Sequence, residues 1–107
     1  MYEYEAVVER VVDGDTVDLI IDLGMHVHIK ERCRLYGINA PERYTETGPA
    51  ATEFLRAQIE GKPLKVRTRK DKQGKYGRYL VTIYLGTWGT NINELMVLEG
   101  HAVEYMK

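Results

Sequence analysis

Hydrophobic and polar residues alternate over the first part of the chain, which is the pattern of strands that bury one face. Residues 5–12 are rich in β-branched side chains and lead into the turn dipeptide Asp13-Gly14. Beyond that turn, apolar residues at every second position from Val17 to Leu23 are separated by polar ones such as Asp18 and Asp22. The pattern therefore predicts a hairpin of two strands.

The alternation resumes after Gly24 and continues to Leu35. Every second position here is apolar, at Met25, Val27, Ile29, Cys33 and Leu35, and Glu31 is the exception. This predicts a long third strand over residues 25–35, with those apolar residues on its inner face.

The second half of the chain mixes helical spacing with further alternation. Gly48-Pro49 opens a segment in which apolar residues from Ala51 to Ile59 share one helical face, and Gly61-Lys62-Pro63 ends it. Alternating residues over 64–69 and an apolar run over 79–85 predict two more strands, joined by a polar loop that contains Gly74. The spacing of Asn91 and Glu94 resembles a capping box, and Gly100 stands where a left-handed C-cap would end a short helix.

The order of three strands, a helix, two strands and a helix predicts an α+β, mainly β fold. Five short strands with a helix between the third and fourth favour a five-stranded barrel of the OB type. The 107 residues, 44% of them hydrophobic, suit one domain with one core, over residues 1–107. Because OB barrels bind sugars and proteins as well as oligonucleotides, the fold alone assigns no function.

Charge is segregated along the chain although the formal net charge is only −1. The charged residues of segment 3–22 are mostly acidic. Segment 62–78, in contrast, contains eight basic residues and a single acidic one, Asp71. Such a run is either a solvated basic hairpin or a surface for phosphates. No apolar run could span a membrane, and Met1 precedes no basic and apolar leader, so we expect a cytoplasmic protein, or a secreted one whose leader was removed.

The segment Asp13-Gly14-Asp15-Thr16 places two carboxylates at a tight turn. Hard divalent cations prefer clustered oxygen ligands of this kind, although Asp-Gly is also a common structural turn. Asp15 is two residues before the apolar Val17, so on a regular strand both side chains would face inward. A carboxylate that faces inward requires a cation or another partner.

Two further segments supply the remaining groups that phosphodiester hydrolysis needs. Arg34 leaves the third strand ahead of Asn39, Ala40 and Glu42, and Arg78 ends the segment Lys75-Tyr76-Gly77-Arg78. A cation and two arginines could stabilise the charge on a phosphate, while a carboxylate takes a proton from water. Each arginine taken alone would be an ordinary surface cation, and regular strands would not aim Arg34 at Asp15 without a bulge or a twist at the barrel mouth.

In this order, the Asp-Gly-Asp-Thr turn, the Arg…Asn-Ala-Pro-Glu segment and the Tyr-Gly-Arg resemble the staphylococcal nuclease family over nearly the whole chain. The resemblance implies Ca2+ as cofactor, with Asp15 as a direct ligand, Asp13 in support, Asn39 as the other side-chain ligand and Ala40 contributing its carbonyl. It implies that Glu42 activates water and that Arg34 and Arg78 hold the phosphate. Lys75 and Tyr76 would touch a neighbouring phosphate, and Tyr105 would stand in for a tyrosine that stacks on a base.

The activity that the resemblance implies is cleavage of DNA and RNA with little sequence preference, leaving 3′-phosphates, with single strands as the expected preference. Asn39 stands where the family usually has aspartate, which predicts weaker calcium binding. Gly74 stands where relatives often carry aspartate. The family also adds a further helix that covers the barrel, so a homodimer that hides the uncovered surface is a hypothesis.

Two other functions stay open: a catalytically weak or inactive OB module that binds single strands through its basic face and tyrosines, and a protein-interaction domain. His26, His28 and His101 lack the spacing of a zinc site, and Cys33 is expected in the core. Trp88 either stacks on bases, as Tyr84 could, or anchors a turn.

Overall fold

The computed structural model describes residues 2–70 and 79–105, in which nine helices and strands are defined. Their order is β1 (Tyr2–Asp13), β2 (Thr16–Asp22), β3 (His28–Leu35), β4 (Ile38–Asn39), α1 (Gly48–Ile59), β5 (Leu64–Lys70), β6 (Tyr79–Leu85), α2 (Ile92–Leu98) and β7 (Val103–Glu104). None of the helices in these two ranges is long and apolar enough to cross a bilayer.

Five strands form a closed barrel in the order β1-β2-β3-β6-β5. The antiparallel pairing of β1 with β5 and the parallel pairing of β3 with β6 close the barrel. The predicted α+β fold with a five-stranded OB-type barrel, a helix after the third barrel strand and a short second helix is confirmed.

The core consists of the inward-facing residues of the five barrel strands and one face of each helix. From the strands it includes Val17, Leu19, Ile21, Cys33, Leu35, Leu64, Val66, Val81 and Ile83, and from the helices Ala51, Leu55, Ile59, Ile92 and Met96. Helix α1 begins at Gly48 with Pro49 in its first turn, as its sequence predicted.

Helix α2 also begins and ends as expected. The Asn91 side chain accepts a 3.1 Å hydrogen bond from the Glu94 amide, which satisfies one free N–H of the first turn. Gly100, at φ 76°, adopts the left-handed conformation that follows the helix.

The third strand is shorter than its alternation predicted, and the assignment of Met25 and Val27 to an inner face is wrong. Ile29 lies in β3 opposite the buried Ile21, on the predicted face, and is 37% exposed. Strand β3 begins at His28, and Met25 lies in a turn with φ 54° and is 93% exposed. The Leu23 amide donates to the Val27 carbonyl at 2.9 Å and thereby closes this turn. Because the turn extends beyond the barrel, none of the described strands covers the side chains of Met25 and Val27.

A second small sheet, absent from the sequence prediction, joins β4 to β7. Ile38 pairs with Glu104 and Asn39 with Val103. The Tyr105 amide extends the pairing with a 2.8 Å hydrogen bond to the Gly37 carbonyl. This sheet fixes the position of the segment that follows β3.

Candidate functional site

Asp15 lies in the turn between β1 and β2 and is 6% exposed. Its Oδ1 accepts a 3.0 Å hydrogen bond from the Thr16 hydroxyl, and its Oδ2 accepts a 2.9 Å bond from the Ala40 amide. The Asp15 carbonyl accepts the Leu35 amide at 2.7 Å, which joins the turn to the end of β3. This buried carboxylate therefore has its predicted partners, one in the neighbouring Thr16 and one in a distant segment, at Ala40.

Arg34 approaches Asp15 at the same end of the barrel. Its Nη2 lies 3.7 Å from Asp15 Oδ2 and donates a 3.3 Å hydrogen bond to the Ile38 carbonyl. Arg34 pairs with Thr16 on β2, so its backbone is in regular register. Asp15 precedes β2, and β1 is irregular between Val11 and Asp13, so strand parity does not fix the direction of the Asp15 side chain.

The segment after β4 carries Asn39, Ala40 and Glu42. Asn39 is held by β7, and Ala40 by its bond to Asp15. The Glu42 carbonyl accepts the Thr45 hydroxyl at 2.7 Å and the Thr45 amide at 3.0 Å, while the Glu42 side chain is exposed. This places a carboxylate in solvent, two residues beyond the contact with Asp15.

Asp13 holds the same segment from the other side of the turn. Its Oδ1 accepts a 2.8 Å hydrogen bond from the amide of Arg43. Asp13 therefore positions the backbone next to Glu42.

Tyr105 lies beside Arg34. The Arg34 guanidinium carbon is 5.9 Å from the centre of the Tyr105 ring, which is 42% exposed. The structure thus brings together Asp15, Arg34, Ala40 and Tyr105, with Asn39 and Glu42 on the adjoining segment. Lys75, Tyr76 and Arg78, and the predicted loop with Gly74, lie outside the described residues.

The oxygen donors at this turn have the chemistry that a hard divalent cation requires. Asp15 keeps acceptor capacity beyond the bonds it already makes, because an ionised carboxylate can accept about four. Asn39, which carries a neutral amide oxygen, precedes the Ala40 amide that Asp15 holds. Within residues 2–70 and 79–105, no three histidine, cysteine, aspartate or glutamate side chains are grouped so that they could hold a metal ion.

Two glycines in the site allow a close approach of the backbone. A Cβ on Gly14 would lie 2.8 Å from the Ala40 Cβ and 2.9 Å from that of Ala51. A Cβ on Gly48 would overlap the Glu42 carbonyl. Sequence reasoning gave Gly14 a role in the turn and Gly48 one at the helix start, but long-range packing of this kind leaves no local signal.

Asn93 connects helix α2 to strand β6 and to the turn after β3, and the sequence did not assign it that role. The side chain is 4% exposed; its Oδ1 accepts the Ile83 amide at 3.1 Å, and its Nδ2 donates to the carbonyls of Tyr36 at 3.0 Å and Val81 at 2.9 Å. A buried polar residue on an otherwise apolar helix face was the available signal.

The histidine and cysteine side chains have different surroundings, and His101 lines a cavity together with Asn39 and Ala40. The His101 ring stacks on Phe54 at 4.5 Å, and His28 is exposed beside Asp22. Burial raises the pKa of the Cys33 thiol to about 12, so this group stays protonated and unreactive at neutral pH.

The fold and site define the class of protein: an OB-type barrel with a buried carboxylate, an arginine and an exposed carboxylate at one end. The family model described as staphylococcal nuclease homologue matches residues 32–107, and the chain belongs to that family. The matched range includes Arg34, Asn39 and Glu42.

Curated relatives of the chain carry the names of nucleases. An "uncharacterized endonuclease" of Escherichia coli O157:H7 is 34% identical over 98 residues, which cover 92% of this chain and 59% of the relative. The thermonuclease of Staphylococcus intermedius is 33% identical over 74% of this chain and 48% of the relative. Endonuclease YhcR of Bacillus subtilis (strain 168) is 30% identical over 96% of this chain but 9% of the relative. The chain thus spans less than two thirds of each of these proteins.

Proposed function

We propose that the chain is a calcium-dependent nuclease that hydrolyses phosphodiester bonds of DNA and RNA with little sequence preference. The observation that carries the proposal is the approach of the Arg34 guanidinium to within 3.7 Å of the buried Asp15 carboxylate. A cation-binding group and a phosphate-binding group are thereby next to each other at a solvent-accessible end of the barrel. Membership of the nuclease family and the names of the relatives support the same activity.

In this proposal each described residue has a separate task. Asp15 and Asn39, with the Ala40 carbonyl, would hold Ca2+, which when bound supplies positive charge to a phosphate oxygen. The Arg34 guanidinium would hold phosphate oxygens through its two parallel N–H donors. Hydrogen bonds that end at Ala40 and Arg43 position the backbone on either side of Glu42.

The exposed Glu42 carboxylate is assigned to the attacking water. It accepts a proton as the water oxygen bonds to phosphorus, and the bond from phosphorus to the 5′-oxygen breaks. The leaving 5′-oxygen takes up a proton from solvent, so one strand ends in a 3′-phosphate and the other in a 5′-hydroxyl. Contacts to the phosphate rather than to base edges account for the low sequence preference.

A binding module with little or no catalytic activity is the second candidate. The observation that favours it is the neutral Asn39 in a site where no three metal-binding acidic, histidine or cysteine side chains are grouped among the described residues. A cation would then be held weakly or not at all.

Digestion of single-stranded DNA, with calcium and with a calcium chelator, separates the two functions. We expect shortened products that carry 3′-phosphates in calcium and intact DNA in chelator. The same reactions run on a native gel detect binding. A shift in mobility without shortening at any calcium concentration would establish the binding module and overturn the nuclease.

A homodimer is a separate proposal. Its support is the exposed apolar side chains of Leu23, Met25 and Val27 at the turn before β3. A mass of one chain by light scattering at working concentration would exclude it.

A further inference from the structure

A groove of about 680 Å³ runs between the outer face of β5 and β6 and helix α2. Arg67 and Arg69 line it from β5, Tyr84 lines it from β6, and Tyr36 lines it from the turn after β3. With Trp88, which contacts both Arg67 and Tyr84, these residues form what we call the arginine-aromatic groove. None of them belongs to the site built around Asp15.

The two arginines of this groove lie on aromatic rings. The Arg69 guanidinium is 4.1 Å from the centre of the Tyr36 ring, and that of Arg67 is 4.8 Å from the Trp88 ring and 5.4 Å from the Tyr84 ring. Tyr36 and Trp88 are each 38% exposed. Such planar, positively charged surfaces are what unpaired bases stack on when a single strand is bound without sequence readout.

The backbone of Trp88 is in the left-handed region, with φ 55°. That conformation is unfavourable for a bulky side chain, and residues held in it concentrate at binding and active sites. The Leu85 amide bonds to the Thr90 carbonyl at 3.0 Å and the Gly89 amide to the Leu85 carbonyl at 2.9 Å, which hold the turn closed. The turn places the indole edge-on against Tyr84, with ring centres 5.1 Å apart.

The groove begins where the site around Asp15 ends. Tyr36, Gly37 and Ile38 line it, and the Ile38 carbonyl accepts the hydrogen bond from Arg34. A strand whose phosphate contacts Arg34 would therefore pass directly into the groove.

Acidic residues restrict how a strand could lie there. Glu94 and Glu104 line the α2 and β7 side of the groove, and Glu3 Oε2 is 3.5 Å from Arg67 Nε. Phosphates are repelled by these carboxylates and attracted by Arg69 on β5. The backbone of a bound strand is therefore expected to lie on the β5 side of the groove.

We propose that the arginine-aromatic groove binds the bases and phosphates of single-stranded nucleic acid that extends from the phosphate at Arg34. The identity of the ligand rests on the proposed function, because the groove is assigned to the same substrate. The groove itself adds affinity that increases with the length of the strand.

Trp88 is the single tryptophan of the chain, so its fluorescence reports on the groove directly. The test measures how fluorescein-labelled oligothymidylates of two and ten nucleotides bind to the Glu42→Gln variant in the presence of calcium. We expect the ten-nucleotide strand to bind at least tenfold more tightly by anisotropy and to quench Trp88, as stacking of a base on an indole does. Tight binding of the long strand with unchanged Trp88 emission, or no binding of it, overturns the proposal.

Two variants and a control identify the residues involved. Arg69→Ala and Trp88→Gly should each reduce the affinity for the long strand about tenfold, the size expected for one stacked base. Glycine suits residue 88 because it adopts positive φ readily. Arg56→Ala removes an arginine from α1, where it pairs with Glu53, and should leave the affinity unchanged. Circular dichroism checks that each variant is folded.

The outcomes separate this proposal from the proposed function. Quenching by the long strand, without cleavage by the unmodified protein, retains the groove and overturns the nuclease. Cleavage by the unmodified protein, without quenching of Trp88 by the long strand, retains the nuclease and overturns the groove. If Trp88 emission changes with protein concentration alone and Trp88→Gly abolishes a dimer seen by light scattering, a second copy occupies the groove and the proposal is wrong.

Discussion

The Asp15 carboxylate and the Ala40 amide are joined by a 2.9 Å hydrogen bond across 25 positions of sequence. This bond holds the turn between β1 and β2 against the segment that carries Asn39 and Glu42. Because a buried carboxylate with several donors is firmly oriented, the site is preorganised by the fold itself.

Replacement of Arg34 should remove most of the proposed activity. Arg34→Ala deletes the guanidinium that lies 3.7 Å from Asp15 and should lower kcat about 100-fold, the loss seen when one group that stabilises transition-state charge is removed. Arg34→Lys keeps the positive charge but lacks the paired N–H donors of the guanidinium, so it should recover little of the lost activity. Rates of oligonucleotide cleavage measure both, and the exposed Arg10→Ala is the control. Equal rates for Arg34→Ala and Arg10→Ala would contradict the assignment.

Restoring a carboxylate at residue 39 should strengthen calcium binding. Asn39→Asp adds a negative charge to the proposed ligands, and we expect the calcium concentration for half-maximal cleavage to fall about tenfold. Calcium titration of the cleavage rate, and of binding by calorimetry, measures the change. Asn91→Asp is the matched control, because residue 91 caps α2 and aspartate caps as well as asparagine. An unchanged calcium requirement for Asn39→Asp would place the cation elsewhere.

Gly48→Ala should impair the site through the backbone. The added Cβ would overlap the Glu42 carbonyl and lie 2.8 Å from the Arg43 Cα, so the segment beside α1 has to move. We expect a loss of about 1–3 kcal/mol in the free energy of unfolding, typical of overpacking, and a lower rate per folded molecule. Gly24→Ala is the control for the cleavage rate, because a Cβ there meets no described atom within 4 Å, although φ of 83° also strains an alanine. The rate per folded molecule should therefore separate the two variants.

Asn93→Asp should destabilise the fold although the two side chains have the same shape. Nδ2 of Asn93 donates to the Tyr36 and Val81 carbonyls, whereas an ionised aspartate has no donor and would face both oxygens. Since the side chain is buried, we expect the free energy of unfolding to fall by about 3 kcal/mol in urea. A change no larger than that of Asn91→Asp would show that the three hydrogen bonds contribute little.

The buried Cys33 thiol predicts a loss of stability in alkali. Burial raises its pKa from 9.0 to about 12, so above pH 9 the unfolded chain releases a proton that the folded chain retains. Stability should therefore fall between pH 9 and about 12, and Cys33→Ala should remove that part of the slope in urea unfolding. A thiol reagent at pH 8 should label Cys33 only after unfolding. Rapid labelling of the folded protein would contradict the burial.

The barrel could be predicted from sequence because its signals are local. Alternation in β2 and β6, the helical spacing from Ala51 to Ile59 and the Asn91 cap each act over a few residues. The same reasoning failed for Met25 and Val27, because alternation records which residues could be buried and does not show where the neighbouring strand ends. The two-residue strands β4 and β7 are too short to give any pattern.

The site was predictable in its components and not in its geometry. A carboxylate at Asp15 and an arginine at residue 34 are visible in the sequence, but regular strand parity placed them on different faces. The irregular end of β1 frees Asp15 from that parity, and the Arg34 guanidinium lies 3.7 Å from its carboxylate. Close approaches such as that of Gly48 to the Glu42 backbone depend on tertiary packing, which the residues around each position do not record.

The pairing of β4 with β7 affects when the site can form during synthesis. Asp15, Arg34 and Glu42 are translated early, yet Asn39 and the Gly37 carbonyl acquire their partners only from Val103 and Tyr105. A nascent chain whose residues 103–105 are still within the ribosomal exit tunnel cannot make this small sheet. The final geometry at Asn39 is therefore reached only after those residues have emerged.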